Sequence, residues 1–177
     1  MGKKNNKSDF VFQSITLIGI GLIGSSIARA VKKRNDLVQT VTLTDVNAEV
    51  RQKAKAIGLG DHVVDDVTVA VKDADCVILC TPIGNYAEIM QNISNHLKSG
   101  CIVSDVGSVK RAPIADMSLH IPDGVHLVPG HPIAGTEQSG PESGFAELFE
   151  GRYWLLTPGH ETARNATQRM RNLFEGI

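Results

Sequence analysis

Three stretches of this chain combine residue types and spacings that chemistry can use. Gly19-Ile20-Gly21-Leu22-Ile23-Gly24 has the spacing G-x-G-x-x-G. In that spacing the first glycine permits a tight turn, the second lets the backbone approach a pyrophosphate, and the third lets a helix pack closely on a sheet. The N–H groups at Leu22, Ile23 and Gly24 would open the helix and present a partial positive charge to phosphates. Asp45 follows about 20 residues later, where a carboxylate accepts hydrogen bonds from adenosine ribose hydroxyls and repels a 2′-phosphate. The pairing favours NAD over NADP, with dual use left open. The bland alternative is a glycine turn with Asp45 as an ordinary strand end.

The other two stretches are Ser104-Asp105-Val106-Gly107-Ser108-Val109-Lys110 and Gly130-His131-Pro132-Ile133-Ala134-Gly135-Thr136-Glu137. If a hydride acceptor binds, oxidising an alcohol also needs a base for the hydroxyl proton. His131 suits that task, since free imidazole titrates near neutral pH (about 6.5). Ser108 would orient the imidazole or meet the substrate. Residue type alone leaves His131 open between base and packing residue. His62, His96, His120, His126 and His160 are read as surface or packing residues.

These residues need a scaffold, and two alternating periodicities provide one. Short apolar runs at 14–18, 41–44, 63–64, 76–80, 101–105, 125–128 and 153–157 read as strands. Helical patterns over 22–34, 47–57, 67–72, 86–97, 110–117 and 165–174 separate most of them. Strand–helix alternation means βαβ units: an α/β, Rossmann-type, doubly wound and mostly parallel sheet. Ligands in such sheets sit beyond the carboxyl ends of the strands, where Thr81 and Pro82 end one of them. Thr81 is therefore a nicotinamide-side contact or simply part of a capped turn. Residues 1–13 read as a flexible polar tail and 14–177 as the nucleotide-binding domain. The glycine-rich segment 129–151 reads as a long loop.

Composition narrows the function classes. The chain has 177 residues and a net charge of −1, so nothing draws it to nucleic acid or an anionic membrane. No apolar run reaches the roughly 18 residues of a membrane span, and a soluble cytoplasmic protein is expected. Cys76, Cys80 and Cys101 sit in or beside apolar runs and read as buried reduced thiols, with no metal expected.

The glycine fingerprint, Asp-Val-Gly-Ser-Val-Lys at 105–110, and Gly-His-Pro-Ile-Ala-Gly-Thr-Glu at 130–137 with Ser139-Gly140 behind it together resemble the prephenate dehydrogenases. Among those, the arogenate-accepting cyclohexadienyl dehydrogenases are most similar. The resemblance runs from about Ile15 to the final helix. It implies NAD-dependent oxidative decarboxylation of prephenate to 4-hydroxyphenylpyruvate, or of arogenate to tyrosine, in tyrosine biosynthesis. It implies His131 as base, Ser108 on the same hydroxyl and holding His131 in register, and Thr136 and Glu137 at the mouth of the substrate site. Glu137 would bear on the side-chain amine that separates arogenate from prephenate.

The family also carries a C-terminal helical domain that forms a homodimer, and nothing in these 177 residues encodes it. Lys110 and Arg111 are expected to open a helix and face solvent, and Arg152 to be structural. Two rival readings are a catalytically silent NAD-binding module, or isolated cofactor half, and a β-hydroxyacid dehydrogenase-like oxidoreductase. The histidine segment speaks against the second.

Overall fold

The computed structural model describes residues 10–177. Its strands and helices alternate as the sequence pattern requires. β1 (Phe12–Ile18), α1 (Leu22–Arg34), β2 (Val38–Thr44), α2 (Ala48–Ala56) and β3 (His62–Val64) form the first half. α3 (Val67–Val71), β4 (Cys76–Leu79), α4 (Tyr86–Ile93), β5 (Ile102–Asp105), α5 (Arg111–Ser118) and β6 (His126–Leu127) form the second. The sheet runs β3-β2-β1-β4-β5-β6, with every pairing parallel. The strand order reverses between β1 and β4, and the crevice for a ligand lies at that switch point.

Alternation along each central strand divides the core into two layers. Ile15 and Leu17 of β1, Cys76 and Ile78 of β4, and Ile102 of β5 face Ile27 and Val31 of α1. Met170 and Leu173 of α6 (Arg164–Gly176) complete that layer. Ile18, Val77, Leu79 and Val103 point the other way, onto Val71, Tyr86, Met90, Ile93 and Met117 from α3, α4 and α5. Burial on both faces explains why these strands read as continuous apolar runs. Local signals set several boundaries. The Asn47 side chain caps α2 by accepting from Glu49 and Val50 N–H, Asp66 caps α3 through Thr68 N–H, and α1 ends on left-handed Asn35.

Three sequence expectations change. β1 begins at Phe12, which is fully buried and paired with Val38, so the expected polar tail is shorter at its inner end. Residues 1–9 of that tail lie outside the described residues. α4 ends at Ile93, and a short 3-10 turn over Ser94–His96 replaces its expected last residues. The long loop also contains a strand, β7 (Gly130–Pro132). It pairs antiparallel with β8 (Trp154–Leu156) in a separate two-stranded ribbon, where the sequence pattern put 153–157 with the main sheet. A three-residue strand with glycine at one end and proline at the other has neither periodicity nor propensity to announce it.

Candidate functional site

The turn after β1 is built by close contacts. Gly19 has φ +98°, and a Cβ there would lie 2.9 Å from the Cys80 carbonyl carbon and from the Thr81 methyl. Its N–H donates to Thr44 O at 2.8 Å, tying the turn to the end of β2. Gly24 is tighter still, with a Cβ position 2.2 Å from Gly19 O. At Gly21, by contrast, a Cβ would meet nothing within 4 Å. That glycine faces open space and caps α1 without any side-chain hydrogen bond, and the first turn of α1 holds no acidic residue. The unpaired N–H groups of a helix start are thus available to an anion.

A cavity of about 460 Å³ opens beside this turn, lined among others by Gly19, Gly21, Asp45, Thr81 and Pro82. Leu22, Ile23 and Gly24 do not line it. Leu22 is buried, and the nucleotide-binding role expected of these three rests on their backbone N–H groups. Asp45 has a second task, for its Oδ2 accepts from Ile20 N–H at 2.8 Å and its Oδ1 from Asn47 N–H at 2.9 Å. The carboxylate therefore braces the glycine turn while keeping lone pairs for a ribose. Asp65 and Glu88 also line the cavity, and neither was singled out from the sequence. The hydroxyl oxygen of Thr81 is buried without a hydrogen-bond partner among the described residues. An orphaned hydroxyl, free helix N–H groups and a glycine facing open space together fit a dinucleotide.

A second group of residues continues along the same sheet edge. The position of a Cβ on Gly107 would lie 2.9 Å from Ile83, which follows Pro82, and 3.0 Å from Asp105 Oδ2. The position of a Cβ on Gly130 would lie 3.0 Å from Asp105 O and 2.8 Å from Trp154 Nε1. The turn after β1, the ends of β4 and β5 and the start of β7 thus follow one another along the sheet edge, while Ser108, His131, Thr136 and Glu137 do not line the cavity. His131 is half-buried and Ser108 exposed, and no hydrogen bond joins them among the described residues. Thr136 and Glu137 are exposed. Thr136 Oγ1 accepts from Gln138 N–H at 3.2 Å, and Glu137 has no hydrogen bond or ion pair among the described residues.

Lys110 corrects an expectation. Its side chain is only 17% exposed and is paired with fully buried Asp105, where solvent exposure was expected. Its Nζ also donates to Gly130 O at 2.6 Å. Asp105 accepts from Gly107 N–H at 2.9 Å and from Gly130 N–H at 3.2 Å. Lys110 immediately precedes α5, so the turn that starts the helix folds it back over the end of β5. Tyr86 packs against the same carboxylate. Burial, with the Asp105 charge beside it, pushes its hydroxyl pKa far above the ordinary tyrosine value, and the neutral hydroxyl donates to Leu79 O at 3.4 Å. No sequence signal marked Asp105 or Lys110 as a pair.

The nucleotide-binding-domain model of prephenate dehydrogenase matches residues 27–177. The chain belongs to that family. It is 42% identical to a cyclohexadienyl dehydrogenase of Zymomonas mobilis over 94% of this chain and 56% of the relative. It is 32% identical to a prephenate dehydrogenase of Bacillus subtilis over 92% of this chain and 44% of the relative. It thus spans about half the length of the curated relatives it matches. Among solved structures, prephenate dehydrogenase from Aquifex aeolicus in complex with hydroxyphenyl propionate and NAD+ superposes with a TM-score of 0.84 at 29% identity. That match covers 93% of this chain and 57% of the other. An arogenate dehydrogenase from Synechocystis gives a TM-score of 0.83 at 28% identity, covering 92% and 56%. Family membership establishes the nucleotide-binding domain and its Rossmann-type sheet.

Proposed function

We propose that this chain is the cofactor-binding portion of an NAD-dependent dehydrogenase that oxidatively decarboxylates prephenate, arogenate or both. The observation that carries the reading is the run of close approaches from the glycine turn through the ends of β4 and β5 to Gly130, the residue before His131. NAD, when bound, supplies the hydride acceptor. Gly21 and the start of α1 hold the pyrophosphate, Asp45 takes the ribose hydroxyls, and Thr81 and Pro82 border the nicotinamide side. Asp45, with Asp65 and Glu88 beside it, makes the cavity unfavourable to a 2′-phosphate, so NAD is preferred to NADP.

His131 accepts the proton of the substrate ring hydroxyl as the hydride leaves that carbon. Loss of the ring carboxylate as carbon dioxide then completes the aromatic ring, so the driving force resides in the substrate. The residues have chiefly to align hydroxyl, base and acceptor. Ser108 hydrogen-bonds the same hydroxyl from the neighbouring loop. Thr136 and the unpaired carboxylate of Glu137 stand at the substrate mouth, where Glu137 attracts the amine of arogenate. The homodimer of the family would form through the part of the relatives beyond this chain's span.

The test follows reduced-nicotinamide absorbance with NAD and prephenate or arogenate, alongside NAD binding by calorimetry. His131→Asn is expected to cut turnover by about 100-fold or more with NAD affinity kept, since a general base contributes typically about 10²–10⁴-fold. Near-normal turnover in that variant removes His131 from the role of base. NAD binding with no substrate-dependent rate in the unaltered chain would favour the silent cofactor half instead.

A further inference from the structure

The β7 strand has one edge that β8 cannot satisfy. Along an antiparallel strand, backbone groups of successive residues point to opposite edges. Pro129 O accepts from Thr157 N–H at 2.9 Å and Ile133 N–H donates to Tyr153 O at 2.8 Å, so the odd-numbered residues face the ribbon partner. Gly130, between them, points its N–H and C=O the other way. It is buried, and a buried polar backbone group without a partner is costly. Among the described residues no strand covers that edge. A side-chain pair does so instead: Asp105 Oδ1 accepts from Gly130 N–H at 3.2 Å, and Lys110 Nζ donates to Gly130 O at 2.6 Å. The two side chains are themselves ion-paired, and the Asp105 carboxylate is fully buried.

We propose that Asp105 and Lys110 form a latch that grips both polar groups of Gly130 and thereby sets the position of the adjoining His131. They are positioning residues for the base; the proposal rests on the dehydrogenase reading above. The pair does the work of a missing strand at one residue only. Pro132, the next residue with the same orientation, has no N–H to satisfy. Loss of the latch therefore frees the start of β7 and lets the imidazole sample other positions, while the glycine turn keeps its own bonds to Thr44 and Asp45.

The experiment compares the unaltered chain with Lys110→Met, Lys110→Arg, Asp105→Asn and the double variant Asp105→Asn/Lys110→Met. Four quantities are measured: amide exchange by NMR, the His131 ring resonances, NAD affinity, and kcat and KM with prephenate. In Lys110→Met, Gly130 amide exchange should rise at least about tenfold while central amides of β1 and β4 hold within about twofold. The His131 ring signals should shift or broaden, and kcat should fall about tenfold or more with NAD affinity unchanged. Lys110→Arg, which keeps a donor for Gly130 O, should recover most of these losses.

Should a single variant fail to fold because one buried charge is left alone, the double variant removes both charges and gives the same readouts. Unchanged Gly130 exchange and unchanged His131 signals in a folded variant overturn the latch. So does a uniform rise in exchange across all strands, which marks a merely structural role. If the unaltered chain shows no turnover, the dehydrogenase reading loses support, and exchange with the ring signals still decides the latch.

Discussion

Adding one methyl group at Gly21 or at Gly24 should produce opposite signatures. At Gly24 the new Cβ would stand 2.2 Å from Gly19 O, against about 3.4 Å for the near limit of ordinary contact, so roughly 1.2 Å must open. The turn cannot yield cheaply, since Gly19 N–H is held by Thr44 O at 2.8 Å and Cys80 Cβ lies 3.2 Å from the same methyl position. Overpacking of this kind costs about 1–3 kcal/mol of stability. Moving α1 by that distance also takes at least one N–H donor out of reach of a pyrophosphate oxygen. A hydrogen bond to a charged group is worth about 1.5–3 kcal/mol, so NAD should bind roughly 10- to 150-fold more weakly.

At Gly21 no atom lies within 4 Å of the new methyl, and φ of −82° suits alanine. The entropic gain of replacing glycine and the loss of a favourable N-cap residue, each about 1 kcal/mol or less, nearly cancel. The melting temperature should therefore stay within a few degrees. The methyl projects into the cavity, and NAD affinity should still fall at least about tenfold if the pyrophosphate approaches there. Calorimetric titration with NAD beside thermal unfolding reads both. An unchanged Kd in Gly21→Ala refutes the placement of the pyrophosphate, and an unchanged Tm in Gly24→Ala refutes the close contact.

Other expectations concern charge and thiols. Asp45→Ala should raise the NADP-to-NAD affinity ratio and weaken NAD itself, because it removes both the ribose acceptor and the brace on Ile20 N–H; an unchanged ratio in competitive titrations would dismiss the carboxylate as a selector. Burial raises the pKa of all three cysteine thiols, Cys101 to about 12, so alkylation near pH 8 should be slow in the native protein and rapid once denatured, followed by mass spectrometry. Asp75 is partly desolvated, which raises its pKa, yet Lys98 at 2.7 Å and the Gln13 and Ser14 N–H groups outweigh this and leave it below its ordinary 3.8. Its contribution to stability is thus present above that value and lost as pH falls through the lowered one. Asp75→Asn should flatten the decline as pH falls through and below 3.8, and an identical acid limb in denaturant melts would contradict the assignment.

Much of the scaffold was legible because its signals are local. The turn after β1 joins adjacent elements, Asn47 caps the helix it precedes, and the apolar runs of the central strands declare burial on both faces. The start of β1 was misplaced because polar Gln13 and Ser14 separate Phe10-Val11-Phe12 from the apolar run that follows, and pairing with β2 shows that Phe12 belongs to the strand. The place of Asp45 beside the glycine turn was legible, but its grip on Ile20 N–H was not, since that bond spans 25 positions. Lys110 was misread for the same reason, as a lysine at a helix start is ordinarily solvated. Ser108 and His131 were read as neighbours in function, Ser108 either orienting the imidazole or meeting the substrate, and no hydrogen bond joins the two among the described residues.

The sequence by itself determined the kind of protein this is. A glycine-rich turn between a buried strand and a helix, an acid at the next strand end, and a histidine segment in order suffice for a nucleotide-binding α/β domain of this family. Each of those features depends on residues within one βα unit or on one recognisable segment. The tertiary structure alone decided how the histidine strand is held. Whether Gly130 turns its N–H and C=O toward β8 or toward Asp105 and Lys110 depends on register within a ribbon that pairs residues about 24 positions apart, such as His131 with Leu155. The groups that satisfy it lie 20 and 25 positions away. No local periodicity encodes such a meeting, because backbone polarity is the same at every residue and only the folded edge shows which groups lack a partner.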